Sequence, residues 1–493
     1  MEILFMRFAF LSLPIAGLLF VTCNQNNEVI VDSKPKGTGE FSTTIQPIFD
    51  RSCGSSSCHG GGPNGYAGGL DLTSYEGLMR GSRFGTVVVS GSPFMSHLVQ
   101  SINPTDTTLS PVSSVQMPAS RDPLPPGDVQ AIVRWIRNGA RNDNGELPFG
   151  EPRAAGKIFF SSQAVDLVGV IDRSTNLIMR YVTVGYQLPL NQPPESPHNV
   201  QVDDQGRYYY VTLIRSNKLK KYDAVTNQLL GEAVVGSSPA HAVVTADGSK
   251  AYVTNFDQTV GRVYAVNTAT MTVTKIITAG AAMKGTHGAR LSHDGRFLYV
   301  GSNGTDLIQV INTQNDSVVA NIPVAPTVPP FGSFRYKPYQ IAVRDDDRFV
   351  YSTLQGTGQV TVIERNGDTF TWRDTIAVGT RPLQCEVTRD KRYLYVCNQA
   401  SGNVSVIDAQ TNRFLTNINN VGTGPHGIDI SEDSRTVYIT CENVRGEPPH
   451  HPIIGSTDPG FLVLIDVGTQ SVIKRIEVGG FAAGISVFPG KGN

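Results

Sequence analysis

Tyr252-Val253-Thr254-Asn255 stands between an Asp247-Gly248 turn and a second short apolar run, Ala265-Val266-Asn267. The same arrangement recurs along the chain. Tyr210-Val211-Thr212, Tyr299-Val300-Gly301, Tyr351-Ser352-Thr353, Tyr395-Val396-Cys397-Asn398 and Tyr438-Ile439-Thr440 align with it, the tyrosines spaced by 42, 47, 52, 44 and 43 residues. Phe160-Ser161-Ser162 is an earlier copy. A second motif follows each one: Val170-Ile171-Asp172, Lys221-Tyr222-Asp223, Ala265-Val266-Asn267, Val310-Ile311-Asn312, Val362-Ile363-Glu364, Val406-Ile407-Asp408 and Leu464-Ile465-Asp466. Each unit alternates like a strand and ends on a residue that starts a turn. Several short strands per period of roughly 40–50 residues predict propeller blades, because a single such sheet cannot bury both faces while a ring of them can. Seven copies predict seven blades. The first copy begins at its second strand, and the chain ends on Gly484-Ile485-Ser486-Val487-Phe488, which reads as an innermost strand. That last strand is expected to complete the first blade, closing the ring and removing sheet edges.

Outward from the repeats, 493 residues exceed one ordinary core and imply more than one domain. Lys plus Arg (41) nearly balances Asp plus Glu (42), which excludes an electrostatic nucleic-acid binder. At the N-terminus, Arg7 precedes an apolar run from Phe8 to Val21, short for a membrane span and laid out like a secretory signal over residues 1–22. Leu19-Phe20-Val21-Thr22-Cys23 is similar to a lipobox, which implies acylation of Cys23 and a membrane anchor, with the polar residues 23–40 as a tether.

Residues 53–59 read Cys-Gly-Ser-Ser-Ser-Cys-His. Two thiols followed at once by a histidine suit covalent haem attachment, the thiols adding to the vinyl groups and His59 binding the iron. Four residues separate Cys53 from Cys58 where two are usual, so a disulfide or a metal site with His59 competes. An N-cap candidate at Thr43-Thr44 and a short helix precede the motif. Val129, Ile132, Val133 and Ile136 form one face of a closing helix that ends near Asn138-Gly139. Residues 41–148 therefore read as a small all-α domain, and 155–493 as the all-β propeller.

Both parts resemble known families. Ile45-Gln46-Pro47-Ile48-Phe49, Gly69-Leu70-Asp71-Leu72-Thr73-Ser74-Tyr75, Met117-Pro118 and Trp135-Ile136-Arg137-Asn138-Gly139-Ala140 resemble the cytochrome c domains of planctomycete and Bacteroidetes surface proteins, many of which use C-x-x-x-x-C-H. The resemblance implies one covalent haem c held by Cys53, Cys58 and His59, with Met117 as the second axial ligand. Met79 and Met95 read as core residues. The repeats resemble the YVTN family of seven-bladed propellers, a scaffold with no single chemistry.

Three histidines share one blade position. His198, His287 and His426 each lie eight residues before the second residue of an inner-strand turn, with Tyr339 at that place in blade five and His241 one residue late in its own. If innermost strands line the channel, these imidazoles converge at its mouth as a second metal or haem site, overhung by an insertion carrying His450-His451; otherwise each caps its own strand. Cys385 and Cys397 flank one turn, as a cross-strand disulfide or as buried thiols. The favoured expectation is an exported electron carrier of the periplasm or cell surface, with the propeller binding a redox partner or surface ligand. A redox enzyme and a non-redox scaffold are the rivals. The first shares its layout with nitrite reductases that place a second haem in an eight-bladed propeller.

Overall fold

The computed structural model describes residues 39–488 except 56–57, 61–66, 150–155, 189–190, 329–333, 445 and 454–457. The expected signal sequence, Cys23 and nearly all of the expected tether lie outside the described residues. Among those described, no helix is long and apolar enough to cross a membrane.

The N-terminal part is helical: α1 (Gln46–Ser52), α2 (Tyr75–Met79), α3 (His97–Ile102) and α4 (Pro126–Arg137). The first helix starts earlier than the Thr43-Thr44 cap predicts. A π-helical turn, Phe41–Ile45, runs straight into it, and Thr43 Oγ1 donates back to Gly39 O at 2.7 Å. Ser74 caps α2, its Oγ accepting from Gly77 N at 3.0 Å. The stripe on α4 is as expected: Val129, Ile132, Val133 and Ile136 are all buried, and Gly139 leaves the helix at φ 102°. They share one core with Phe41, Phe49, Leu78, Val99 and Trp135.

The rest is a ring of seven four-stranded antiparallel sheets. Blade one combines the C-terminal strand, Ala482–Val487, with Lys157–Ser162, Leu167–Asp172 and Leu177–Thr183, so the two ends of the repeat region close the ring as expected. Ile158 lies opposite Val487 and Phe160 opposite Ile485.

A local device recurs where each inner strand begins. The residue before it has left-handed backbone in every blade: Ser196, Ser238, Gly285, Lys337, Arg381, Gly424 and Phe481. In every blade, the inner strand's register against its neighbour shifts within its first residues, as between Pro239 and Ala242, Pro425 and Ile428, or Ala482 and Ile485. Such a bulge re-aims side chains and leaves backbone groups without ladder partners. The hydroxyl of the Tyr-Val-Thr motif satisfies them. Thr254 Oγ1 accepts from His241 N in its own blade and donates to His287 O of the next. Thr212, Thr353, Thr440 and Ser161 repeat this stitch, reaching Ala240 O, Leu383 O, Ala483 O and His198 O respectively.

The helical part docks across the closure, against blades one and seven. Ile178 N donates to Thr86 Oγ1 at 2.6 Å, and Val89 packs with Ile158, Ile178 and Ile476.

Candidate functional site

Two places hold chemistry-bearing side chains. The first begins where α1 ends. Cys53 N donates to Phe49 O at 2.7 Å, and the chain folds back so that His59 N reaches Cys53 O at 3.2 Å. Leu72 N then donates to His59 O at 2.9 Å, anchoring the histidine's backbone to the segment before α2. Burial pushes the Cys53 thiol up to about 11, helped by the nearby Cys58. Burial also lowers His59 below its ordinary value, partly offset by the Leu70 backbone, and His59 Nδ1 is buried without a hydrogen bond. Two thiols followed at once by an imidazole form the donor set that a thioether-linked haem with a nitrogen axial ligand uses. Met117 and Met79 both pack, partly buried, against the core that contains Cys53; Met95 belongs to the docking face.

The second place is the propeller channel. The bulge at the head of the inner strands turns His198, His241 and His287 toward one another, each at most 5% exposed. One ring nitrogen from each lies within 4.8 Å of the others, and His198 Nε2 is 3.2 Å from His287 Nε2 although 89 residues separate them. His426 adjoins this trio, its ring centroid 5.4 Å from that of His198. The equivalent-position rule thus finds three of the four rings. It sets His241 aside as one residue late, whereas in the structure His241 belongs to the closest trio and His426 flanks it.

Oxygen atoms orient two of these rings. His198 Nδ1 is 3.1 Å from Gln163 Oε1, and His426 Nδ1 is 2.6 Å from Glu442 Oε1. Tyr339 stacks on His287 with centroids 3.7 Å apart. Glycine follows His287 and His426 for a steric reason: a Cβ on Gly288 or Gly427 would run into the next inner strand, at Tyr339 O and Ala483 O respectively. Burial holds His241 down to about 3 and His198 and His287 well below the imidazole range, so all three are neutral at pH 7. Three residues deeper, Arg290 pairs with Glu386 across the channel, with Asp429 close enough to act on Arg290.

His450 and His451 do not overhang the trio. His450 stacks on Phe84 at 3.7 Å, and His451 meets His97 edge-on at 4.3 Å, both in the helical part. Glu477 holds the insertion there, accepting from both backbone N–H groups and from His451 Nδ1. Cys385 and Cys397 are thiols, not a disulfide. Cys385 pairs in register with Val396, so its side chain and that of Cys397 enter cores on opposite faces of the sheet.

Comparison with known proteins agrees with both halves. The family model for the seven-bladed β-propeller lactonases matches residues 165–378 and 324–431, and that for planctomycete cytochrome c matches 56–118, a span containing Cys58, His59 and Met117. No curated protein matches the chain. Among solved structures, a functionally unknown protein from Desulfotomaculum acetoxidans aligns at TM-score 0.53 and 12% identity, covering 67% of this chain and 98% of its own. The periplasmic gluconolactonase of Pseudomonas aeruginosa aligns at TM-score 0.52 and 17% identity, with the same coverage of 67% and 98%. At those identities the likeness is one of fold. The chain belongs to the seven-bladed lactonase-type β-propeller family, with a planctomycete-type cytochrome c domain ahead of the propeller.

Proposed function

We propose that this is an exported haem c protein whose helical domain carries single electrons and whose propeller receives a redox partner or surface ligand. The observation that carries the reading is the fold-back at the end of α1, which ties His59 N to Cys53 O just where the segment matched by the cytochrome c family, residues 56–118, begins. Cys53 and Cys58 would hold the haem through thioethers, with His59 and Met117 as axial ligands. Bound there, haem c supplies one-electron exchange at its iron. The protein's part is to exclude water around Cys53, keep the imidazole neutral, and dock the domain on blades one and seven. The signal-like leader and the lipobox at Cys23 support a periplasmic or surface location with a membrane anchor.

The test is expression of the full chain with cytochrome maturation machinery. The denatured polypeptide should keep haem-dependent peroxidase staining, and Cys53→Ala with Cys58→Ala should abolish it; a colourless wild-type chain defeats the proposal. In the oxidised protein, Met117→His should remove the near-infrared sulfur-to-iron band and lower the potential, because a thioether favours ferrous iron more than imidazole does. An unchanged spectrum reassigns the sixth ligand.

A further inference from the structure

We infer that the channel trio His198, His241 and His287 is a binding site for one divalent first-row transition metal ion of the zinc or copper class, separate from the haem segment. The geometry carries this. Two nitrogens bound to one tetrahedral ion at about 2.0–2.1 Å stand about 3.3 Å apart, and His198 Nε2 and His287 Nε2 stand 3.2 Å apart. A ring nitrogen of His241 completes the triangle.

Packing alone leaves the cluster unexplained. A proton shared between His198 and His287 accounts for that pair. It leaves His241 Nε2 and His426 Nε2 buried without any hydrogen-bond partner. Four imidazoles gathered in one channel, three with an idle nitrogen (His287 Nδ1 is the third), form a poor apolar core and a good donor set.

An outer shell is in place for one ring of the trio and for its neighbour His426. Metal-bound histidines commonly donate their second ring N–H to an oxygen, which fixes the ring and frees the other nitrogen's lone pair. Gln163 Oε1 stands in that place for His198, and Glu442 Oε1 does so for His426. Glu442 also accepts from Gln399 Nε2 at 2.7 Å, which steadies it. Beside the trio lies His426, its ring centroid 5.4 Å from that of His198 and its Nε2 buried without a hydrogen-bond partner. Neutral nitrogen donors without a carboxylate in the trio select zinc, copper or ferrous iron over magnesium and calcium, which demand oxygen. Three histidines with an open fourth position is the composition of catalytic rather than structural zinc sites.

The experiment uses the full, haem-loaded, tag-free protein. After dialysis against Zn(II) or Cu(II), and then against metal-free buffer, one equivalent of non-haem metal per chain is expected. His241→Ala and His287→Ala should each lose it, with haem staining unchanged. Gln163→Leu, which strips the oxygen from His198 Nδ1, should weaken binding about 10–100-fold, the range for outer-shell partners. His293→Ala, at a half-exposed ring outside the channel, should retain the full equivalent. X-ray absorption on the wild-type protein keeps the test decisive if a variant fails to fold: the bound ion should show imidazole nitrogens at about 2.0 Å. No bound equivalent, a shell of oxygen or sulfur, or full retention by a folded His241→Ala protein overturns the inference.

Discussion

The helical segment and the propeller channel each gather histidine nitrogens, by opposite constructions. In the helical part Cys53, Cys58 and His59 lie within seven residues, and short backbone hydrogen bonds bring them round one loop. In the channel, His198 and His287 come from blades two apart in the ring and meet because every inner strand follows a residue with left-handed backbone and carries the same bulge. The first arrangement needs only its own loop and one small core. The second depends on all seven sheets closing. The two sites should therefore fail independently, and each perturbation below separates them or shows that they are coupled.

The largest effect is expected from ending the chain at Phe481. Blade one then loses its inner strand, exposing the edge of Lys157–Ser162, and the protein should aggregate. A soluble product with an unchanged melting curve would break the claim that the channel depends on closure.

Phe160→Ala comes next. The ring is fully buried and lies directly over Gly169, where a Cβ would overlap it. Truncation should cost about 3–5 kcal/mol, read as an earlier propeller transition in urea, while covalent haem staining persists. Loss of staining in the folded variant would couple the two regions.

A comparable loss is expected from Thr254→Val. It keeps the shape but strips the partner from His241 N and His287 O, at about 1–3 kcal/mol for each group left unpaired. The propeller transition should move earlier. An unmoved transition would mean that the hydroxyl stitch is not what fixes the heads of the inner strands.

Acid probes the buried rings without any substitution. In the metal-free protein His241 is held down to about 3, and His198 and His287 well below 6.5, by burial. Below about pH 6.5 the unfolded chain takes up protons that the folded one refuses. Stability therefore falls as pH drops, by at most about 1.4 kcal/mol per pH unit for each histidine. His97 at the docking face, lowered to about 4, acts in the same direction. His293 acts oppositely, since its carboxylate partners raise it. The propeller's melting temperature should decline between pH 7 and 4.5, and His241→Gln should flatten the decline. A flat wild-type profile would contradict the burial of neutral rings.

Much of the architecture follows from local rules. Tyrosine spacing, turn residues and the incomplete first repeat are enough to predict seven blades closed by the last strand, and the stripe on α4 is a period that one helix sets for itself. The Cys53–His59 motif is legible for the same reason, since its chemistry sits in adjacent residues. His198, His287 and His426 were within reach of repeat alignment, because equivalent positions in a ring point to one axis.

What alignment could not supply is how close those positions come and which neighbours replace them. A bulge lets two successive residues oppose one, so His241, a residue late, still enters the channel, and no local pattern announces that. His450 and His451 turn to the helical part because Glu477, on a different strand, grips them. Cys385 and Cys397 miss each other by one step of register, which sends them to opposite faces. The sequence by itself determined the repeat, the closure and the Cys53–His59 motif, since each depends on residues close along the chain or on a simple period. The tertiary structure alone decided the channel cluster and the docking face, because both are sums over many strands whose small offsets add up only at the axis and at the seam.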